Sequence, residues 1–321
     1  MLQLDGITRS FGERKVLDDV TFGVGTGRLT GFVGGNGAGK TTTMRIILGV
    51  LASDAGTVTL GGVPLGAEQR RLFGYMPEER GLYPKMKVAE QLAYLARLHG
   101  YGKAAATARA RELLERLGLG ERADDPVQSL SLGNQQRAQI AAALVHDPQV
   151  LILDEPFSGL DPMAVDVVLG VLAEYAATGV PVLFSSHQLD LVERLCDDLV
   201  IIAGGRIRAA GSREVLRQTH GAVRHELVAG HDVGWLRDVR GVEVVDFDGG
   251  TALFEAPDAV VQDVLRAALE RGPVLSFGPV RPTLGEIFRD IVTDAPDPDH
   301  DPEVATSAPG TSATHLQEVV R

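Results

Sequence analysis

The stretch Phe32-Val-Gly-Gly-Asn-Gly-Ala-Gly-Lys-Thr-Thr-Thr43 decides how the rest of the sequence is interpreted. The residues that match the phosphate-binding pattern G-x-x-x-x-G-K-[ST] are Gly34, Gly39, Lys40 and Thr41. Glycines let backbone N–H groups close around phosphate oxygens, and the following helix directs its positive end at the same anion. Lys40 can then reach the β- and γ-phosphates of a nucleotide, and the Thr41 hydroxyl can ligate Mg²⁺.

The residues on either side of this loop support the same interpretation. Residues 28–33 are mostly apolar, as in a buried strand, and residues 42–48 have the composition of a helix that ends at Gly49. The alternative is a glycine-rich turn that binds nothing. Because a strand before the loop and a helix after it confirm the motif, we expect a phosphate-binding site.

Two further apolar runs end in polar residues. Residues 150–153 are apolar throughout, as in a central strand of a parallel sheet, and Asp154 and Glu155 follow directly. Ligands bind beyond the carboxyl ends of such strands, so these acids indicate a metal or substrate site more than an exposed pair. Residues 181–186 repeat the pattern and end at His187, which taken alone is more typical of a structural histidine.

Three other features leave two interpretations open. Ser131 and Gly133 begin a predicted helix, where a serine usually caps the helix but can also help to bind an anion. Glu78 follows a short predicted strand, so it either reaches a metal or lies in a solvated loop. Phe11 lies beside a turn and belongs either to the sheet core or to a platform for a nucleobase. Its position alone favours the core.

The composition narrows the function classes. A formal net charge of −12 makes the chain as a whole a poor candidate for binding nucleic acid. The single cysteine, Cys196, excludes an intrachain disulfide, so we expect a reducing compartment and a buried structural thiol. The sequence has neither a signal-peptide pattern nor a run of about 18 apolar residues, so we expect no leader and no membrane span.

The 321 residues predict two domains, a large one and a small one. Helices are expected at 88–98 and 104–117, between the phosphate loop and the later motifs. Near residue 220 the order becomes that of a ferredoxin-like β-α-β-β-α-β unit. Its elements are expected at 225–229, 232–239, 242–247, 251–255, 258–271 and 274–277. A last amphipathic helix at 284–292 precedes residues 294–321, whose composition predicts disorder.

The order of these motifs resembles that of the ATPase subunit of ATP-binding cassette (ABC) transporters. The motifs are residues 34–42, Glu78, Leu130-Ser-Leu-Gly-Asn134, residues 150–155, Ser158-Gly-Leu-Asp161 and His187. Few P-loop families carry such a signature helix between the phosphate loop and the Asp-Glu strand, so the resemblance over about residues 1–220 is specific. Residues 220–292 resemble, more loosely, the small C-terminal domain of some bacterial drug- and sodium-exporter ATPases.

This resemblance implies the fold class and its divisions. The chain would be an α/β P-loop NTPase, with an ABC cassette of mixed sheet at residues 1–220 and a helical subdomain at about 85–145. A small α+β ferredoxin-like domain would follow at 221–293, and an acidic disordered tail at 294–321.

The resemblance also implies roles. Glu155 would orient and polarise the attacking water, His187 would contact the γ-phosphate, and Lys40 completes the catalytic group. Phe11 would stack on adenine, which reverses the interpretation from position alone. Ser131 and Gly133 would contact a nucleotide held by a second subunit, and Asp161 would communicate across that interface. The residues implied to bind ATP are Phe11, Val16, Gly34, Asn36, Gly37, Ala38, Gly39, Lys40, Thr41, Thr42, Ser131, Gly133, Asn134 and Asp161. The residues implied to hold Mg²⁺ are Thr41, Asp154 and Glu78.

The sequence departs from the family's pattern at three places. Gly35 stands where Pro or Ser is usual, which should loosen the loop without removing a ligand. Leu132 and Asn134 stand where Gly and Gln are commoner, so Leu132 could crowd the nucleotide of the other subunit. Glu78 replaces the usual Mg²⁺-coordinating glutamine. Its carboxylate can still ligate Mg²⁺ but adds a negative charge near the γ-phosphate.

The resemblance implies a subunit that binds and hydrolyses ATP and drives a separate transmembrane permease at the cytoplasmic face of the cell membrane. The loop at 77–86 would receive the coupling helix of that permease, and a second copy of the chain would complete the ATP site. We expect export of drugs, with sodium or lipid export as further options, and no nucleic-acid partner. The alternatives are a soluble ABC ATPase acting on ribosomes or nucleic acid, and a regulator whose C-terminal domain binds a small ligand.

Overall fold

The computed structural model describes residues 1–79, 81–220, 224–280, 283 and 285–288. The tail expected at 294–321 and most of the helix expected at 284–292 lie outside these residues. Within them the strands are β1 (Leu2–Phe11), β2 (Arg14–Val24), β3 (Leu29–Val33), β4 (Ala55–Leu60), β5 (Val63–Pro64), β6 (Phe73–Met76), β7 (Val150–Leu153), β8 (Val182–Ser186), β9 (Asp198–Ala203), β10 (Arg206–Ser212), β11 (Arg224–Ala229), β12 (Glu243–Asp248), β13 (Thr251–Glu255) and β14 (Val274–Val280). The α-helices are α1 (Lys40–Ile47), α2 (Ala67–Arg70), α3 (Val88–Leu98), α4 (Lys103–Arg116), α5 (Leu132–Leu144), α6 (Pro162–Ala177), α7 (Leu189–Leu195), α8 (Arg213–His220) and α9 (Asp258–Arg271).

A six-stranded mixed sheet carries the phosphate loop. Its order is β10-β9-β3-β8-β7-β6, and every neighbouring pair is parallel except β9 with β10. Every residue of β3, β7 and β8 is buried, which explains why these segments are so apolar in sequence. Because parallel strands end at the same edge of a sheet, the residues that follow β3, β7 and β8 are neighbours.

Two hydrophobic cores lie on the two faces of this sheet. On β7, Val150 and Ile152 belong to the core shared with α1 and the antiparallel sheet β2-β1-β4-β5. Leu151 and Leu153 belong to the core shared with the helices α3 to α8. This alternation follows from the two-residue period of a strand. Cys196 lies in the second core, where burial raises the pKa of its thiol, as expected for a structural cysteine.

The helices α3 and α4 follow the sequence prediction closely. They place Leu92, Ala96, Leu113 and other fully buried residues against α5. The helix α4 ends one residue earlier than expected, and Gly118 beyond it has a φ of +68°, which closes the helix without steric strain. The expected helical segment between the phosphate loop and the Asp-Glu strand is therefore present.

The helix α6 is missing from the sequence prediction, although its start carries a clear signal. Asp161 accepts a hydrogen bond of 2.8 Å from the backbone N–H of Ala164, and Pro162 is the first helical residue. An aspartate cap followed by proline is typical of a helix start. The apolar residues of α6 are spread over much of its surface, so no narrow periodic stripe marks the helix in the sequence.

The C-terminal unit has the sheet order β12-β13-β11-β14, with every pair antiparallel. This order is that of a ferredoxin-like fold, as predicted. The prediction of a helix at 232–239 is wrong, because the segment forms only a short 3₁₀ helix, Gly234–Asp238. Asp232 accepts a hydrogen bond from the N–H of Gly234 at 2.6 Å, and such a turn competes with a regular helix. The boundary at residue 220 between the two units stays a prediction.

The stacked rings of His99 and His146 give the fold a pH dependence. Their centroids lie 3.8 Å apart, and burial together with the neighbouring His99 lowers the pKa of His146 to about 4. In an unfolded chain the pKa of a histidine is about 6.5. Only the unfolded state binds this proton between those two values. The contribution of His146 to stability is therefore complete above about pH 6.5 and is lost as the pH falls toward 4.

We expect His146 to lower the free energy of unfolding by roughly 1–3 kcal/mol between neutral pH and about pH 4.5. Denaturant titrations of the wild type and of His146→Gln at both pH values measure this effect. Glutamine can still donate to the carbonyl of Phe73, which Nε2 of His146 contacts at 3.1 Å. The variant should lose less stability on acidification, and equal losses in the two proteins would contradict the prediction.

Candidate functional site

The phosphate loop joins β3 to α1 and depends on glycine at two positions. Gly39 has a φ of +109°, and a Cβ atom there would lie 2.5 Å from the side chain of Leu17. A Cβ atom on Gly34 would lie 2.5 Å from the carbonyl oxygen of Ile202. Both positions therefore admit only glycine, and the loop leads directly into the N-terminus of α1, whose free backbone N–H groups can bind an anion.

Lys40 holds this loop closed. Its Nζ donates to the carbonyl oxygens of Gly34 at 2.7 Å and Gly35 at 3.2 Å, and the residue is only 9% exposed. The ammonium group therefore lies against the loop that would surround a phosphate. A Cβ atom on Gly35 would have open space around it, so this departure from the family's pattern costs no contact.

Asp154 links three elements at the carboxyl edge of the sheet. The Thr41 hydroxyl at the start of α1 donates to its Oδ2 at 3.0 Å, and the Ser185 hydroxyl of β8 donates to its Oδ1 at 2.6 Å. Asp154 is 1% exposed, so both oxygens need these donors. Burial and the charge of Asp154 together raise the pKa of the nearby Tyr75.

Glu155 has an unusual backbone that its neighbours hold in place. Its φ is +52°, a region that residues with a side chain seldom adopt. Its N–H donates to Ser185 Oγ at 2.8 Å, and its carbonyl oxygen accepts from Gln136 Nε2 at 2.8 Å. This conformation directs the carboxylate to His187, whose Nδ1 lies 3.0 Å from Glu155 Oε2.

A cavity of about 670 Å³ lies over these groups. It is lined by Arg14, Lys15, Val16, Gly35, Asn36, Gly37, Gly39, Lys40, Thr41, Thr42, Glu78, Asp154, Glu155, Gly204 and Gly205. Most of the residues expected to bind nucleotide or metal are thus brought together. Gly34 and Ala38 belong to the same loop without lining the cavity.

Four lining residues are missing from the sequence prediction, namely Arg14, Lys15, Gly204 and Gly205. They come from the start of β2 and the turn between β9 and β10. A Cβ atom on Gly205 would lie 2.4 Å from the carbonyl oxygen of Val16, and the Asp18 N–H donates to the Gly205 carbonyl at 2.9 Å. These are contacts between distant parts of the chain, and no local sequence signal predicts them.

Phe11 lies outside the cavity lining. Its side chain is 48% exposed at the end of β1, so its assignment to the sheet core from position alone is wrong. The guanidinium of Arg9 lies 4.9 Å from the centre of its ring. An exposed aromatic ring with a free face is compatible with a base platform.

The signature residues also lie outside this cavity. Ser131 caps α5 and accepts a hydrogen bond of 3.3 Å from the N–H of Asn134. Leu132 is 50% exposed, and a Cβ atom on Gly133 would lie 3.2 Å from the carbonyl oxygen of Gly159. Asp161, two residues after Gly159 in the chain, caps α6. In one chain these residues form a second exposed cluster, separate from the cavity.

The donor set at the cavity fits a Mg²⁺ ion held jointly with phosphate. Thr41, Asp154 and Glu78 all contribute hard oxygen atoms to the lining. Among the described residues there is no cluster of three or more His, Cys, Asp or Glu that could hold a metal ion alone. Mg²⁺ usually takes one or two carboxylates together with substrate phosphates and water, which agrees with this arrangement.

Comparisons with known proteins support a family assignment. Residues 17–158 match the ABC transporter family, and residues 211–292 match the family described as ATP-binding protein DrrA1-3-like, C-terminal domain. The chain is 37% identical over 292 residues to an uncharacterized ABC transporter ATP-binding protein, YhaQ, of Bacillus subtilis, covering 90% of this chain and 97% of that protein. It is 37% identical over 216 residues to the linearmycin resistance ATP-binding protein LnrL of Bacillus subtilis, covering 66% and 70%. It is 36% identical over 269 residues to the Nod factor export ATP-binding protein I of Ralstonia nicotianae, covering 80% and 82%.

Comparison with solved structures also places the fold among ABC ATP-binding cassettes. An ATP-binding subunit of an ABC transporter has a TM-score of 0.63 and 35% identity to this chain, covering 68% of it and 92% of that structure. A dimeric bacterial ABC transporter cassette has a TM-score of 0.61 at 22% identity, covering 66% and 98%, and supports the fold alone.

The phosphate loop, the buried Asp-Glu strand and the capped signature helix define a P-loop ATPase of the cassette class. The chain belongs to the family of ABC transporter ATP-binding proteins. It is the ATP-binding subunit of an ABC transporter and an ATPase. In the part of the chain that the structure describes, no helix is both long enough and apolar enough to cross a bilayer.

We expect Glu78→Gln to raise the Mg²⁺ concentration that gives half-maximal ATPase activity, roughly two- to tenfold, because a charged oxygen donor is lost. The change in turnover at saturating Mg²⁺ should be modest. A Mg²⁺ titration of ATP hydrolysis measures both. Glu79→Gln is the matched control, since Glu79 is the next residue and does not line the cavity. A Glu78→Gln titration that coincides with that of the control would contradict a contact with the metal.

Proposed function

We propose that two copies of this chain sandwich two ATP molecules and drive a separate membrane-spanning exporter. The observation that carries the proposal is the division of the site. One chain holds a cavity lined by the phosphate loop and an acid pair, with His187 in contact with Glu155 at its edge, whereas its signature residues form a second exposed cluster. Ser131 and Gly133 of one copy would close over the nucleotide of the other copy, and Asp161 would lie at that interface.

Within one cavity the residues take separate parts. The loop from Gly34 to Thr42, with Asn36, Gly37 and Ala38, would surround the triphosphate through backbone N–H groups, and Lys40 would leave its carbonyl partners for the β- and γ-phosphates. Val16 and the exposed ring of Phe11 would hold the nucleoside. These contacts position the nucleotide, which is most of what a protein contributes to phosphoryl transfer.

The reaction itself depends on Glu155 and His187. The carboxylate of Glu155 would orient the attacking water and weaken its O–H bond, and His187 would donate a hydrogen bond to the γ-phosphate. Thr41, Asp154 and Glu78 would hold Mg²⁺, which when bound stabilises the negative charge that spreads over the phosphoryl oxygens. The hydrogen bonds to the backbone of Glu155 keep its carboxylate aimed while the nucleotide exchanges.

A groove beside the cavity is our candidate for the contact with the permease. It measures about 280 Å³ and is lined by Phe73, Tyr75, Pro77, Gly81, Leu82, Leu95, His99, Gln139, Ala142, Ala143 and His146. Its wall includes the loop that follows β6, the segment expected from the resemblance to receive a coupling helix. Because Glu78 belongs to the same loop, a helix seated here would act directly on one wall of the ATP cavity.

We infer export of an amphipathic antibiotic or a similar small molecule. The names of two relatives, a linearmycin resistance protein and a Nod factor export protein, support export. The C-terminal unit matches a domain described from DrrA1-3-like proteins. The relatives lend no support to an ATPase acting on ribosomes or nucleic acid. The chain would work at the cytoplasmic face of the cell membrane, bound to its permease.

We expect Glu155→Gln to lower ATP turnover at least about 100-fold, because it removes the base that activates water. ATP binding should be retained, and ATP-bound dimers should accumulate. Steady-state hydrolysis and light scattering with ATP measure these effects. Glu174→Gln, on the exposed side of α6, is the control. Unchanged hydrolysis in Glu155→Gln, or full-rate hydrolysis by a demonstrably monomeric chain, would contradict the proposal.

Co-expression with a candidate multi-span permease tests the partner. The two proteins should co-purify, and Ala142→Arg should reduce the recovered complex at least about tenfold, because a charged side chain then fills the groove. Basal ATP binding should be unchanged. Leu269→Arg, at an exposed position of α9, is the matched control. Equal recovery of complex with both variants would exclude this groove as the contact.

A further inference from the structure

The backbone of Glu155 is held from three directions. Ser185 of β8 accepts its N–H, and the N–H of Ser158 in the following turn donates to its carbonyl oxygen at 3.2 Å. The third contact comes from α5, where Gln136 Nε2 donates to the same carbonyl at 2.8 Å. Among the described residues, Gln136 supplies the hydrogen bond that joins the signature helix to the backbone of this acid.

The burial and the hydrogen bond of Gln136 indicate a role beyond packing. It is 6% exposed, so its amide needs an internal partner, and Glu155 supplies one. The acceptor belongs to a residue with a φ of +52°. A residue in that region keeps its conformation only when surrounding contacts fix it. Loss of the amide would therefore let the peptide plane after Glu155 turn and the carboxylate lose its aim.

The same helix carries the signature serine. Ser131 caps α5, and Gln136 follows five residues later, about 7.5 Å along the axis at 1.5 Å per residue. Both residues belong to one continuous helix, which beyond Gln136 is packed without exposed surface at Ala138, Ile140 and Ala141. A displacement of the capped end would therefore reach Gln136 as a movement of a rigid body rather than be absorbed by the chain.

We propose that Gln136 is a positioning residue that couples the two ATP sites of the dimer. When Ser131 of one copy closes over the nucleotide of the other copy, α5 shifts and Gln136 sets the backbone of Glu155 in its own copy. Each chain would thus adjust its own water-activating acid according to whether the neighbouring site is filled. This inference rests on the paired arrangement proposed above and adds to it a physical link between the sites.

The test uses Gln136→Met in the full chain with its permease. Methionine keeps the length of the side chain and its burial but has no N–H to donate. The matched control is Gln135→Met, which removes the amide that donates to the carbonyl of Leu130 at 2.9 Å on the same helix. A second variant, Gln136→Leu, is apolar and likewise has no N–H to donate, so it serves if the methionine variant does not fold.

We expect kcat to fall roughly ten- to a hundredfold in Gln136→Met, which is the loss that a small misplacement of a catalytic group produces. The ATP concentration for half-saturation should change less than about twofold, because Gln136 does not line the cavity. Gln135→Met should stay within about threefold of the wild type. Equal kcat values in Gln136→Met and Gln135→Met would overturn the proposal.

A double-mutant cycle with Ser131→Ala separates coupling from general damage. Ser131→Ala should lower kcat in the wild-type background and have a much smaller effect in the Gln136→Met background, because the link to Glu155 is then absent. If the fold-loss in kcat of the double variant equals the product of the fold-losses of the two single variants, the proposed coupling is overturned. If instead Glu155→Gln has wild-type turnover, the proposed function itself fails, and this outcome is distinguishable from a failure of Gln136 alone.

Discussion

The structure depends on one buried carboxylate. Asp154 accepts hydroxyl hydrogen bonds from Thr41 on one oxygen and from Ser185 on the other. An unpaired carboxylate in this position would be strongly unfavourable, so the two bonds fix the start of α1 and the ends of β7 and β8 relative to one another. The phosphate loop lies beside this junction, and Glu155 and His187 follow it directly. The geometry of the nucleotide site is therefore a consequence of how one charge is accommodated.

Glu155, which follows Asp154 in the chain, has a strained backbone conformation at the same junction. Glu155 has a left-handed backbone that its own preferences disfavour by about 1–3 kcal/mol. Ser185 contributes to both acids, since its hydroxyl accepts from the Glu155 N–H and donates to Asp154. One buried hydroxyl thus orients both Asp154 and the acid that faces His187. The left-handed backbone of Glu155 turns its carboxylate away from the direction of β7 and toward the cavity.

The sequence predicts the elements that depend on neighbouring residues, but it does not predict contacts between distant parts of the chain. The phosphate loop, the apolar strands and α3 follow from residue type and period, so each lies where expected. The turn at Gly205 and the basic residues of β2 meet only after the sheets pack, and no local pattern contains that contact. The sequence leaves the burial of Phe11 open, because an aromatic residue beside a turn has the same local pattern whether it is buried or exposed. The 3₁₀ segment at 234–238 replaces a helix because an aspartate turn competes with it.

The charges of the cavity give a physical reason for the proposal that the site is completed by a second copy. Three carboxylates and three basic side chains line it, so the protein by itself is close to neutral there. A nucleoside triphosphate adds about four negative charges, which a metal ion and the start of α1 offset in part. A further positive end is available in α5, whose first turn contains no acid and whose cap is Ser131. In its own chain that end lies outside the cavity. It could therefore complete the charge balance only across an interface, and in the dimer proposed above hydrolysis would then depend on a second copy.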